Sequence, residues 1–156
     1  MRRSDREVND PEAIQAILMR GRTCHVAMAD GDMPYVVPLS YGFRFSDGGA
    51  LELFFHSANE GKKIDILRKN SKVCFEISDE GKFENAGSPC DMGYFYSSII
   101  GYGDAVFLTG AAEKSEGLSV IVRHQAGIDT AFSEKQVANV SVFKIISKEY
   151  SGKQKK

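Results

Sequence analysis

Thr23-Cys24-His25-Val26-Ala27-Met28-Ala29-Asp30-Gly31-Asp32-Met33-Pro34-Tyr35-Val36-Val37-Pro38-Leu39-Ser40-Tyr41-Gly42-Phe43-Arg44-Phe45 decides how this chain folds. Apolar residues flank Asp30-Gly31-Asp32 on both sides, and an Asp-Gly turn between such flanks is the short-range mark of a β-hairpin. Thr23 to Ala29 reads as one strand and Met33 to Phe45 as a second, longer one. Pro34 and Pro38 each remove a ladder donor. They place the second strand at a sheet edge, or at a bulge that leaves backbone groups free.

Working outward, Asp10-Pro11-Glu12 starts a helix, with Asp10 as cap, Pro11 at the first helical position and Gly21 as the stop. After the hairpin, Ser46-Asp47-Gly48-Gly49 is a turn and Ala50 to Phe55 a strand. Ser57 to Asn70 reads as a helix with Ile64 and Leu67 inward, and Val73 to Ile77 as a strand with period-two alternation. Residues Ser78 to Asp91 are rich in Gly, Asp, Glu and Ser and read as an exposed excursion. Phe95 to Leu108 is a long strand broken by Gly101 and Gly103. Ser115 to Gln125 is a helix and Val140 to Tyr150 a closing strand. The fold expected is mainly β, about six antiparallel strands curled into a barrel with short flanking α-helices, in a single domain over 1–156.

Composition narrows the function classes. The 156 residues carry 20 basic and 21 acidic side chains, a net charge of -1, which argues against a nucleic-acid backbone as partner. The basic clusters Arg2, Arg3, Arg6 and Lys153, Lys155, Lys156 read as solvated ends. Cys24, Cys74 and Cys90, odd in number and widely spaced, suit reduced thiols, and no apolar run approaches a membrane span or a leader. The expectation is a cytoplasmic protein with no membrane partner.

Chemistry concentrates in Phe54-Phe55-His56-Ser57-Ala58-Asn59-Glu60-Gly61-Lys62-Lys63. Ser57 with Glu60 three residues on has the capping-box pattern. Two lysines in the first turn of a helix oppose its dipole, a cost more readily borne where an anion sits. Free amides, a hydroxyl, Gly61 and two ammonium groups make a phosphate site. The same run reads equally well as a solvated Gly-Lys-Lys turn. Gly101-Tyr102-Gly103 lacks the third glycine and the strand–turn–helix setting of a dinucleotide fingerprint, so a strand bend or close backbone approach accounts for it. His25, His56 and His124 have no partners at ligand spacing, so no metal site is expected. Cys24 and His25, neighbours in a strand, face opposite ways and form no dyad. His124 is expected at the surface.

Four motifs in register resemble a known family. Met33 to Gly42 resembles the second strand of the FMN-binding split-barrel proteins related to pyridoxamine 5′-phosphate oxidase. Phe55-His56-Ser57-Ala58 with Gly61-Lys62-Lys63 is similar to the phosphate-binding turn of the branch that holds nitroimidazole-resistance proteins. Tyr96 to Gly103 resembles the long strand of that branch, and Met1 to Glu7 and Ser151-Gly152-Lys153 resemble its ends. The resemblance implies a six-stranded antiparallel split barrel that dimerises with FMN, or alternatively FAD, at the subunit interface. It implies that the backbone of Val37, Pro38, Leu39, Ser40 and Tyr41 lies along the flavin ring. His56, Ser57, Ala58, Gly61, Lys62 and Lys63 then surround the phosphate, Ser97 and Ser98 face the cofactor from the partner strand, and Lys153 closes over the site.

The chain lacks the basic set with which the pyridoxamine oxidases proper grip a substrate phosphate, so that oxidation is not expected. The function implied is a flavin-dependent oxidoreductase acting on a small aromatic such as a nitro compound, with His56 as proton donor or ligand contact. The alternative is a non-catalytic protein that stores or senses flavin or haem. Tyr94, Phe95 and Tyr96 suit a dimer interface or, equally, the barrel core.

Overall fold

The computed structural model describes residues 3–85, 87–88, 90 and 92–155. Met1, Arg2, Asp91 and Lys156, named above, lie outside the described residues. After a 3-10 turn at Ser4–Arg6 come β1 (Glu7–Val8), α1 (Pro11–Arg20), β2 (Thr23–Asp30), β3 (Met33–Ser40), β4 (Gly42–Phe45) and β5 (Leu51–Ser57). There follow α2 (Lys62–Lys69), β6 (Lys72–Glu84), β7 (Gly93–Leu108), α3 (Ala111–Ala126), α4 (Glu134–Val137) and β8 (Ser141–Lys155). All pairings are antiparallel, in the order β3-β2-β6-β7-β8-β5-β4, with β1 added on β8.

The hairpin forms as read: Asp30 pairs with Met33 and Thr23 with Ser40, and β3 lies at the sheet edge where its two prolines cost no ladder bond. The long second strand divides at Tyr41, so β3 forms one edge and β4 the other. This division and the short β1 account for eight strands in place of six. Tyr41 causes it. Its ring turns into the core and its hydroxyl donates to the Leu18 carbonyl at 2.7 Å. One edge strand thus runs into the other through a single residue, and the barrel is split there.

The inner face carries Cys24, Val26, Met28, Leu51, Leu53, Phe55, Val73, Phe75, Ile77, Ile99, Phe143 and Ile145. Ile17 and Leu18 of α1 and Ile66 and Leu67 of α2 plug it. Phe55 stacks on Phe143 with centroids 5.1 Å apart, and each buried side chain of this size contributes about 1.5–3 kcal/mol. α3 covers β4 and β5 from outside. A Cβ on Gly42 would lie 2.5 Å from the Val120 carbonyl oxygen, so only glycine lets strand and helix touch.

The first half of the excursion expected over 78–91 is ladder: β6 runs to Glu84 and β7 starts at Gly93, forming an arm that extends the sheet past a bulge between Glu80 and Phe83. The closing strand runs five residues beyond Tyr150 because β7 and β1 both pair with it. Gly101 and Gly103 mark close approaches, as read. An added Cβ would meet the Phe75 ring at 2.4 Å and the Ile146 carbonyl oxygen at 2.5 Å respectively.

Candidate functional site

The turn after β5 departs from the capping-box reading. Ser57 is the last strand residue, paired with Ser141, and the helix starts only at Lys62 with Gly61 in the cap position. Pairing with β8 outcompetes local capping because it also turns Ser57 inward. Gly61 has φ 128 and ψ 162, a conformation open to glycine almost alone, and no side chain caps the helix. The first amides of α2 therefore have no side-chain acceptor, in a turn that carries two ammonium groups.

Ser57 Oγ is buried and has no hydrogen-bond partner among the described residues. Such an orphan costs about 1–3 kcal/mol. The neighbouring Asn59 is pinned, its Oδ1 accepting from Ser141 Oγ at 3.0 Å. Lys62 Nζ lies 3.1 Å from Asp30 Oδ2 and 4.9 Å from the centre of the Tyr35 ring. The turn is thereby tied to the β2–β3 hairpin, beside the split edge. Lys63 is half-buried, while His56, Ala58 and Gly61 are exposed. His56 points to the face opposite Ser57, so the two side chains cannot share one contact.

Along β3, Tyr35, Val37 and Leu39 pack towards the core and Pro38 and Ser40 face outward. The Tyr41 carbonyl accepts from His124 Nδ1 and Gln125 Nε2, both at 2.8 Å. That corrects two expectations. Tyr41 is a strut of the split with its acceptor already engaged, which leaves Val37 to Ser40 as the stretch of open edge. His124 is buried, at 7% exposure, because α3 lays it against Tyr41 and Phe43. Burial also pushes the Tyr41 phenol and the Cys24 thiol upward, which leaves both as neutral core groups.

Ser97 and Ser98 fall on opposite faces. Ser97 is buried and its Oγ accepts from Arg20 Nη2 at 3.1 Å. Ser98 lies on the outer face, paired with Ser78 on one side and Lys153 on the other. With Ser40 and Thr23, which pair on β2 and β3, these outward residues make a polar row across five strands. Lys153 Nζ lies 5.6 Å from the Tyr96 ring centre. Only Ser98 of the two serines can therefore act together with Lys153.

The structure thus sorts the expected residues into two groups. Ser57 pairs with Ser141 at the start of β8 and Ser98 with Lys153 near its end, which is roughly 40 Å of strand contour. Away from α3, which packs on Val142 and Phe54, the outer face exposes Val36 (58%), Ile100 (46%) and Tyr102 (60%). A groove of about 790 Å³ runs across it, lined by Ala27, Ala29, Cys74, Tyr102 and Ile146 among others. Among the described residues no three His, Cys, Asp or Glu side chains gather as metal ligands, and no helix is long and apolar enough to cross a membrane. Sequence reading missed Asp30 and Tyr35 as tethers of Lys62, and Tyr96. The Asp-Gly turn signal located Asp30 in the chain, but nothing local tells which helix start it meets.

Fold and turn together define an antiparallel split β-barrel with a cationic strand-to-helix turn beside its open edge. The pyridoxamine 5′-phosphate oxidase family is matched over residues 10–154, and the chain belongs to it. Among solved structures it is similar to a candidate 5-nitroimidazole antibiotic resistance protein from Bacteroides thetaiotaomicron. That match has 30% identity and a TM-score of 0.81, and covers 95% of this chain and 86% of that one. An FAD and haem binding protein from Mycobacterium smegmatis has 16% identity, a TM-score of 0.81, and coverage of 97% and 74%. An FAD-binding protein from Mesorhizobium loti has 23% identity, a TM-score of 0.68, and coverage of 97% and 98%. These last two likenesses show the fold alone. No functionally curated protein matches the chain.

Proposed function

We propose that this protein is a flavin-binding oxidoreductase, with FMN as cofactor and FAD as the alternative, that works as a homodimer and reduces a small aromatic such as a nitro compound. The observation that carries the reading is the buried, partnerless Ser57 Oγ beside an uncapped helix start with two lysines. A phosphate supplies the acceptor that Ser57 Oγ and the uncapped amides of α2 lack. Ser57, Lys62, Lys63 and the first α2 amides hold it, and Gly61 gives the backbone room. The open edge from Val37 to Ser40 offers backbone groups to the ring, and Ser98 with Lys153 closes the site. A flavin, when bound, supplies the hydride or electrons, and the protein supplies position and electrostatics. His56, exposed beside the turn, is the proton donor of this scheme.

The 40 Å of strand between the two residue groups favours a site shared between two copies, each giving its turn to one cofactor and its Ser98–Lys153 end to the other. The part of the outer face away from α3, with its exposed Val36, Ile100 and Tyr102, offers the apolar surface for that contact. The cofactor-binding reading is supported by family membership and by the flavin named for the related structures.

The test is the absorbance spectrum and mass of the released cofactor, followed by anaerobic reoxidation of the reduced protein by a nitroimidazole. A yellow protein whose reoxidation no acceptor speeds would be a flavin store. The shared site is checked by mixing. K62A/K63A and S98A/K153A variants, each poor in flavin alone, should recover cofactor after subunit exchange, and a failure to do so would place the whole site within one copy.

A further inference from the structure

Besides Ser57 Oγ, one other buried side-chain atom lacks a hydrogen-bond partner among the described residues, Nε2 of His124. The ring itself is 7% exposed. Its Nδ1 lies 2.8 Å from the Tyr41 carbonyl, which can only accept, so Nδ1 carries the proton and Nε2 of the neutral ring is an acceptor. Aromatic carbon flanks it: the Tyr41 ring centre lies 4.6 Å away, and Phe43 stands edge-on at 5.3 Å. A buried acceptor in such surroundings is costly until a donor reaches it.

His124 lines a cleft of about 450 Å³ that lies between α1 and α3, over β4. Met19 and Phe45, both exposed, line the same cleft, so it runs from the surface inward to the imidazole. Phe43 and Phe45, two residues apart on β4, share a face and form the floor, their rings edge to face at 6.3 Å. Met19 of α1 makes one wall, and Ser119 and Arg123 of α3, with His124, make the other. The charges there are already paired. Arg44 bonds Glu52 and Glu116, and Arg123 bonds Asp129. The cleft shares no residue with the turn at 57–63 or with the open edge from Val37 to Ser40.

We propose that this cleft binds a neutral, flat aromatic molecule carrying a ring N–H, which donates to His124 Nε2 while the ring lies among Phe43, Phe45 and Met19. The site stands apart from the flavin reading and does not depend on it. Its size is that of a small-ligand site. Aromatic rings and a thioether suit a π face, and an ion entering there would be buried without a counter-charge. The one buried polar atom without a partner is an acceptor, which calls for a donor on the ligand. Nε2 is covered in the free chain, and Phe43, the partly exposed ring beside it, is the group that turns aside on entry.

Indole is the probe, and indene, of the same shape without the N–H, is the control. Nitrogen NMR on the full chain with labelled histidine has only three rings to resolve. Indole should move the His124 Nε2 resonance and leave those of His25 and His56 in place. It should bind at least about tenfold tighter than indene, as one hydrogen bond to a buried acceptor requires. S119W fills the cleft from α3 and should abolish binding of both probes. H124F keeps a ring against Phe43, and Gln125 Nε2 still donates to the Tyr41 carbonyl, so the fold stands. In that variant indole should bind no tighter than indene. Equal affinity of the two probes for the wild type overturns the proposal, as does indole binding that survives S119W or leaves Nε2 unmoved. Absence of binding at millimolar indole also overturns it, and assigns water as the partner of the imidazole.

Discussion

Removing one atom group, the Ser57 hydroxyl, separates a structural serine from one kept for a ligand. Ser57 Oγ is buried without a partner in the free chain. Leaving such a group unsatisfied costs about 1–3 kcal/mol. S57A removes that cost and leaves a void of a single atom, so the cofactor-free protein should gain stability. For a domain near 150 residues, about 3 °C per kcal/mol applies, and the thermal midpoint should rise by about 3–9 °C. With cofactor the sign reverses. A hydrogen bond to a phosphate oxygen contributes about 1.5–3 kcal/mol, so flavin affinity should fall about 10- to 150-fold. The assay is scanning fluorimetry on protein stripped of cofactor, beside fluorescence titration with FMN. A lower midpoint without cofactor, together with unchanged affinity, would refute the reasoning, because it would make Ser57 an ordinary packing residue.

K62A/K63A should weaken FMN by at least about tenfold and flatten the salt dependence of its binding, measured by the same titration. Loss of the Lys62–Asp30 pair alone, exposed at both ends, should change stability by less than about 1 kcal/mol in urea melts. G42A should leave mostly insoluble or unfolded protein on expression, since the new Cβ meets the α3 backbone, whereas G48A on the open turn should express normally. Burial raises the Glu52 carboxyl, but hydrogen bonds from Lys144 and Arg44 outweigh it, and the net value lies below the ordinary 4.5. A carboxyl lowered on folding stabilises above its unfolded value and ceases to do so as pH falls through its folded one. E52Q should therefore cost about 1–3 kcal/mol at pH 7, discounted for the partly exposed Arg44, and much less near pH 3, as read from urea midpoints.

How much of this was legible depended on whether a signal was local. Asp30-Gly31 and the two prolines declared a hairpin and an edge, because turn geometry and a missing donor act within a few residues. The inward alternation of Val73, Phe75 and Ile77 was legible for the same reason. The cationic turn was located correctly but its mechanics were not: a capping box and a strand end compete for Ser57, and the winner is set by Ser141, far off in sequence. His124 looked like a surface residue until Tyr41, a distant partner, supplied both an acceptor and a ring. The polar run after Ser78 resembled a loop because the strand that extends with it starts beyond the turn, at Gly93. That Ser97 and Ser98 cannot both face one ligand follows from the two-residue period alone, and was available at the outset.

β8 pairs with β1, β5 and β7, and synthesis delivers it after all of them. Until it leaves the ribosome, the strands on both sides of it wait with open edges, and the core has no lid over Phe55. Closure of the barrel therefore waits for β8, and it is slow because its contacts span most of the chain. Nascent chains cut short of Ser141 are the species that a cell's chaperones and proteases must handle.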